Sequence, residues 1–163
     1  MVRQGDDEVE CITIEVKAGS TRIRCVNGYG PQLGDTQKRK EMFWKYLDRE
    51  VVEANYEDLG LVIEIDSNCW AGNNLIPKDP NIQNSNGKLL EMFLNRNKGI
   101  HLVNSLPICK GLITRKRQTN NRNEKAVLDL FMVCSKMLPL VIQMDVDEQG
   151  EQSVVFHKYD TCA

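Results

Sequence analysis

Leu61-Val62-Ile63-Glu64-Ile65 is an almost unbroken apolar run that ends abruptly at Asp66-Ser67-Asn68. A short apolar run closed by turn residues reads as a strand covered on both faces. Such a strand cannot stand alone, because apolar material must lie on each side of it, so the chain is expected to be layered. Upstream, Asp35 or Thr36 can cap a helix running to about Asn55. Phe43, Tyr46, Leu47, Val51 and Ala54 form one stripe of that helix, and its opposite face is charged.

The remaining elements fit the same plan. Cys11 to Val16 alternates, with Ile12, Ile14 and Val16 on one face and Thr13 and Glu15 on the other. Ile23 to Asn27 is a second strand, and Gly28, Gly30 and Pro31 then force an irregular loop. Residues 72–85 hold Pro77, Pro80 and several asparagines, a long loop of the kind that is commonly functional. Asn86 is expected to cap a short helix that turns Leu89, Leu90, Phe93 and Leu94 inward. Ile100 to Asn104 and Val127 to Cys134 read as strands. Val141 to Val146 and Ser153 to Tyr159 read as a hairpin across Asp147-Glu148-Gln149-Gly150. Strands interrupted by helices predict an α/β or α+β fold, with sheet layers and helices packed outside.

Length and composition bound the rest. A chain of 163 residues, 41% hydrophobic, suits one domain with a real core. No apolar stretch approaches the ~20 residues of a membrane helix, and the opening MVRQGDDEVE lacks the apolar segment of a secretory signal. The expectation is an intracellular protein, cytoplasmic or nuclear. The formal net charge is −2, so any case for nucleic acid must rest on local charge. The six cysteines form no C-x-x-C and read as reduced thiols, mostly in the core.

Four places could carry chemistry. Asp66-x-Asn68 brings a carboxylate and an amide to a strand end, where sites of open α/β sheets collect; alone it reads more readily as an Asx turn. Asn27-Gly28-Tyr29-Gly30-Pro31 lets backbone approach a ligand closely and adds a hydroxyl, or is a strand-ending turn with a packed aromatic. Asp129 is an acid inside an apolar strand, costly to bury unless it is paired or hydrogen-bonded. Its strand alternation puts it on a face with Val127 and Phe131. From Lys110 to Lys125 six basic residues stand against one acid, interleaved with Thr114, Thr119, Asn120 and Asn121. That stretch reads as a solvated loop or as a surface for a phosphate backbone.

Taken in order, these motifs are far more specific than any one of them. Asn27-Gly28-Tyr29-Gly30-Pro31, Asp66-Ser67-Asn68, Asn84-Ser85-Asn86-Gly87-Lys88-Leu89-Leu90, Leu102-Val103-Asn104, Thr114 and Val127-Leu128-Asp129-Leu130 together resemble the endonuclease/exonuclease/phosphatase superfamily, the DNase I-like fold. The pattern is most similar to the endonuclease domain of non-LTR retrotransposon reverse-transcriptase polyproteins. It runs over residues 10–160, leaving residues 1–9 as a disordered tail and 161–163 as a short one.

The resemblance implies a four-layer α/β/β/α sandwich, present in part, and Mg2+-dependent hydrolysis of phosphodiesters in DNA. It implies that Asp66 orients or deprotonates the attacking water and contributes weakly to the metal. Asn68 and Tyr29 would contact the scissile phosphate, and Asp129 would orient a catalytic histidine. Thr114, Arg115, Lys116 and Arg117 would lie along the DNA backbone. The family's early metal-binding Glu has no counterpart in context, since Glu8, Glu10 and Glu15 are misplaced. Its Ser-Asp-His motif is also missing, because no Asp-His dipeptide occurs and neither His101 nor His157 fits. Ile65-Asp66-Ser67-Asn68 replaces the usual G-D-F-N.

The expectation is therefore an endonuclease of impaired activity. One alternative is an inactive retroelement-derived remnant that binds nucleic acid through residues 110–125, and another is a phosphatase of the same superfamily. A sheet left short should also expose an edge and part of its core face, inviting self-association.

Overall fold

The computed structural model describes residues 2–4, 9–119 and 122–148. Its frame is a six-stranded sheet. The strands are β1 (Val2–Gln4), β2 (Glu10–Ala18), β3 (Thr21–Tyr29), β4 (Gly60–Asp66), β5 (Ile100–Leu102) and, later in the chain, β9 (Asp129–Cys134). They lie side by side in the order β1-β2-β3-β4-β9-β5. β3 and β4 are parallel and every other pair is antiparallel. Parallel neighbours need a crossover, and α1 (Gln37–Tyr56) supplies it. β1 adds a strand in the stretch the sequence reading left as a tail, pairing Val2 with Ile14.

Thr36 caps α1, its side chain accepting from the Arg39 amide at 3.2 Å. The apolar stripe of α1 lies on one face of the sheet, against Cys11, Val26, Leu61, Ile63 and Ile65. Tyr46 reaches through to Thr13, hydroxyl to hydroxyl at 2.8 Å. The second helix, α2 (Ser85–Arg96), joins the same layer, and Trp44 of α1 meets Phe93 of α2 with ring centroids 5.4 Å apart. Asn84, not Asn86, caps α2: its side chain accepts from the Gly87 amide at 2.9 Å, the three-residue reach a cap requires.

A charged knot sits inside this layer. Arg24, fully buried on β3, points beneath α1 and meets Glu15 at 2.6 Å, Glu57 at 3.1 Å, Glu53 at 3.2 Å and Glu50 at 3.8 Å.

The opposite face of the sheet differs from expectation. Leu61–Ile65 was expected to be covered on both sides, but among the described residues only the helix side is covered. Ile12, Ile14 and Val16 are 52%, 39% and 44% exposed. Ile12 and Ile14, with Ile23, Cys25, Val62 and Phe131, line a shallow hollow of about 410 Å³. The described residues thus supply the helix layer and the first sheet of a sandwich, with a few short strands beyond.

Those short strands lie in the second half. β6 (Cys109–Lys110) pairs in parallel with β10 (Met144–Asp145). The described partner of the 141–146 stretch is therefore β6; the hairpin partner expected at 153–159 lies outside the described residues. The basic stretch is not a loop but a hairpin, β7 (Arg115–Thr119) with β8 (Arg122–Ala126). Its strands carry no apolar alternation, so period-two reading could not find them.

Candidate active site

β3 and β4 run side by side and end together, and β9 begins where they stop. Tyr29 pairs with Asp66, and Asp66 pairs with Asp129, so the three form a row across adjacent strands. Glu10 on β2 extends the row next to Tyr29. Three of the motif residues read from the sequence are thus brought together by register alone.

The turn that follows is held tightly. The Gly30 amide donates to the Asp66 carbonyl at 2.6 Å, and a Cβ on Gly30 would lie 2.6 Å from the Ser67 carbonyl, so only glycine fits there. Asp66 Oδ1 accepts from the Asn68 amide at 3.1 Å, closing an Asx turn in which Asn68 adopts φ 46°. Asn68 Nδ2 donates to the Gly30 carbonyl at 2.8 Å, tying the Asp66 turn to the Tyr29 loop. An amide nitrogen carries two protons, and among the described residues one of them is engaged.

Asn86, which sequence reasoning assigned to the helix cap, is a buried strut of this site. Its Nδ2 donates to the Pro31 carbonyl at 2.7 Å and to the Asn68 carbonyl at 3.2 Å. The N-x-N-G spacing held the signal: only Asn84 sits three residues before Gly87, which frees Asn86 for another task.

Asp129 is held from both sides. Thr114 Oγ1 accepts from the amides of Leu128 at 2.8 Å and Asp129 at 3.1 Å. Asn104 Nδ2 donates to the Asp129 carbonyl at 3.0 Å while its Oδ1 accepts from Phe131 N at 2.8 Å. Burial pushes the Asp129 carboxyl above the ordinary range and the charge of Asp66 adds to this, against a hydrogen bond from Thr114 that lowers it. Thr114 is therefore engaged with the start of β9 itself.

The basic residues lie nearby on the hairpin. Arg115, Lys116 and Arg117 are all exposed on β7. Lys116 Nζ donates to the Glu148 carbonyl, and Glu148 Oε1 accepts from the Leu112 and Ile113 amides at 2.7 and 3.0 Å. Asn81 Nδ2 donates to the Lys125 carbonyl at 2.9 Å, linking the 72–84 loop to the hairpin.

Other candidates are set apart. Glu10 holds Arg39 at 2.7 Å, and Glu15 is committed to Arg24 and Arg22. His101 pairs with Val133, four residues along β9 from Asp129, and its Nε2 shares a hydrogen bond of 2.9 Å with Ser135 Oγ. That spacing is about 13 Å of strand. His157 and Glu8 lie outside the described residues.

Among the described residues no three His, Cys, Asp or Glu side chains gather into a metal cluster. Mg2+, however, is usually held by one or two carboxylates, with water and substrate phosphates completing its shell. Two carboxylates paired across the strand ends fit an ion shared with substrate in that way. No helix among the described residues is long and apolar enough to cross a membrane.

No protein-family model and no curated protein matches the sequence. Solved structures do match. The chain is similar to the endonuclease domain of TRAS1, a telomere-specific non-LTR retrotransposon, at 17% identity and a TM-score of 0.63, over 86% of this chain and 58% of that one. TDP2 of D. rerio complexed with a single-strand DNA product also matches, at 10% identity and a TM-score of 0.49, over 82% of this chain and 54% of that one. The fold is thus DNase I-like, an α+β arrangement in which this chain spans a little over half the length of the retrotransposon domain.

Proposed function

We propose that the chain carries the phosphodiester site of a retrotransposon-type DNA endonuclease, in a reduced form. The observation that carries this reading is the row Tyr29–Asp66–Asp129 with Asn68 turned in beside it. Asp66, facing Asp129 at the strand ends, holds or deprotonates the attacking water. The second amide proton of Asn68 and the hydroxyl of Tyr29 hold the scissile phosphate. Thr114 positions Asp129, and Arg115 and Arg117 on the hairpin neutralise the flanking backbone. Mg2+, held by Asp66, would supply neutralisation of charge on the phosphoryl oxygens.

A second reading is nucleic-acid binding without cleavage. It is favoured by the engagement of His101 with Ser135, remote from Asp129. Removing one transition-state donor commonly costs ~10²–10³ in rate, so a site lacking its histidine would turn over slowly.

Supercoiled-plasmid nicking in Mg2+ and in EDTA, beside Asp66→Ala, tests the first reading. Nicking that needs Mg2+ and disappears in Asp66→Ala supports it. Equal inertness of both proteins, with binding that weakens steeply as salt rises, supports the second.

A further inference from the structure

Trp70 presents an exposed indole on a backbone tied to the start of α2. Its amide donates to Asn84 Oδ1 at 3.2 Å, and its carbonyl accepts from the Asn84 amide at 3.2 Å. That carbonyl also packs so tightly on Gly87 that a Cβ there would lie 2.0 Å away. Yet the residue is 42% exposed, whereas Trp44 is buried against Phe43 and Phe93. Its exposed indole is open to a ligand, while its backbone is tied to Asn84.

Its position indicates which ligand. Beyond β4 the chain alternates: Ser67, Cys69 and Ala71 are buried, while Asp66, Asn68 and Trp70 turn outward. Residues two apart are separated by at most ~7 Å. Asn68 is bonded in turn to the loop that bears Tyr29, which is itself partly exposed. An exposed aromatic ring close in sequence to an amide that can hold a phosphate suits stacking of a nucleobase.

We propose that Trp70 stacks on a nucleobase beside the phosphate held at Asn68, making base-bearing DNA, rather than a simple phosphate ester, the ligand of this site. The inference rests on the nucleic-acid reading above and names how the substrate is gripped. Stacking uses the π-face that every base shares, so the contact tolerates sequence. It discriminates against small phosphorylated molecules that have no base to offer.

Two measurements separate this proposal from the reading beneath it. Fluorescence anisotropy of a dye-labelled oligodeoxythymidylate reports binding, whether or not cleavage occurs. Tryptophan emission reports stacking: the chain has two tryptophans, and Trp70→Phe leaves Trp44 as the background to subtract. The expected result is quenching of Trp70 by oligodeoxythymidylate and none by an abasic oligomer of the same length. Trp70→Ala should bind the base-bearing strand roughly tenfold more weakly and lose its preference over the abasic one, while Trp70→Phe keeps part of both. Binding without quenching and without base preference overturns the stacking and leaves the nucleic-acid reading intact. Equal weakening of both oligomers in Trp70→Ala assigns the residue a structural role and overturns it too. No binding by wild type in either measurement overturns both.

Discussion

Asp66 and Asp129 stand directly opposite one another on antiparallel strands, where β4 ends and β9 begins. Cross-strand partners have Cβ atoms about 4.5–5.5 Å apart, and like charges so placed repel. The fold tolerates this at the strand ends of a sheet whose neighbouring positions are strongly apolar. Thr114, Asn104 and the Asn68 turn hold the pair in place.

Asp129→Asn should therefore stabilise the protein while weakening its function. The folded carboxyl titrates above its ordinary value, so its ionised form is a liability at neutral pH. Removing the charge should gain about 0.2–1 kcal/mol at pH 7, the scale of one cross-strand pair. The gain should shrink as pH falls and vanish below the ordinary aspartate range near ~3.9, where both states of the wild type are protonated. Denaturant melts at a series of pH values check this; a variant less stable than wild type at pH 7 would contradict it.

Asn86→Ala removes the strut between the Tyr29 loop and the Asp66 turn. Two carbonyls, of Pro31 and Asn68, lose their donor in a buried setting. The cost should be about 1–3 kcal/mol. DNA binding should fall further than this loss of stability explains, because the Asn68 turn loses one of its anchors. Chemical denaturation beside an oligonucleotide titration separates the two effects.

Asp66, Asn68, Tyr29, Thr114 and Asp129 each belong to a spaced motif, and register and hydrogen bonds bring them into one neighbourhood. Asn86 was misassigned because two asparagines compete for one cap and only the i to i+3 reach decides between them. The β7–β8 hairpin was invisible because its stability lies in backbone pairing, with charge where alternation would be sought. Glu64 stands within a run whose apolar composition suggests cover on both faces, yet it is exposed, because a run of five residues does not say what packs on its far side.

Arg24→Met tests the buried knot beneath α1. It removes from the fully buried Glu50 its buried cation, leaving Arg49 at 3.9 Å, and breaking one side of a buried pair typically costs about 3–5 kcal/mol. The pH dependence carries a sign. Hydrogen bonds from Arg24, then Arg22, hold the Glu15 carboxyl below its ordinary value. Its contribution is thus complete above the ordinary glutamate range and is lost as pH falls through the folded value. Wild type should weaken on acidification more steeply than Arg24→Met; equal slopes would show that the pairing with Arg24 does not hold Glu15.

Ile14→Lys addresses the open face of the sheet. Ile12, Ile14 and Val16 form a contiguous apolar strip on β2, and patches of this kind promote association. Wild type is expected to self-associate as concentration rises, and the lysine should reduce it. Light scattering across a concentration series reads this directly, and a monomeric wild type at every concentration would overturn it.

Gly87→Ala closes the argument around Trp70, because the substitution sets two principles against each other. In a helix alanine is better than glycine by about 1 kcal/mol. Here, however, the new methyl would sit 2.0 Å from the Trp70 carbonyl and 2.9 Å from Gln83 Cγ. A backbone carbonyl cannot swing away as a side-chain tip can, so either α2 or the Trp70 segment must shift. Overpacking of this kind costs about 1–3 kcal/mol, which outweighs the propensity gain. The net effect should be destabilising, and it should spread to the site, since Asn84 and Asn86 flank the glycine. Trp70 emission in the absence of DNA should change in Gly87→Ala, reporting the displaced indole. An alanine variant as stable as wild type, with unchanged emission, would mean that the contact is looser than the geometry states.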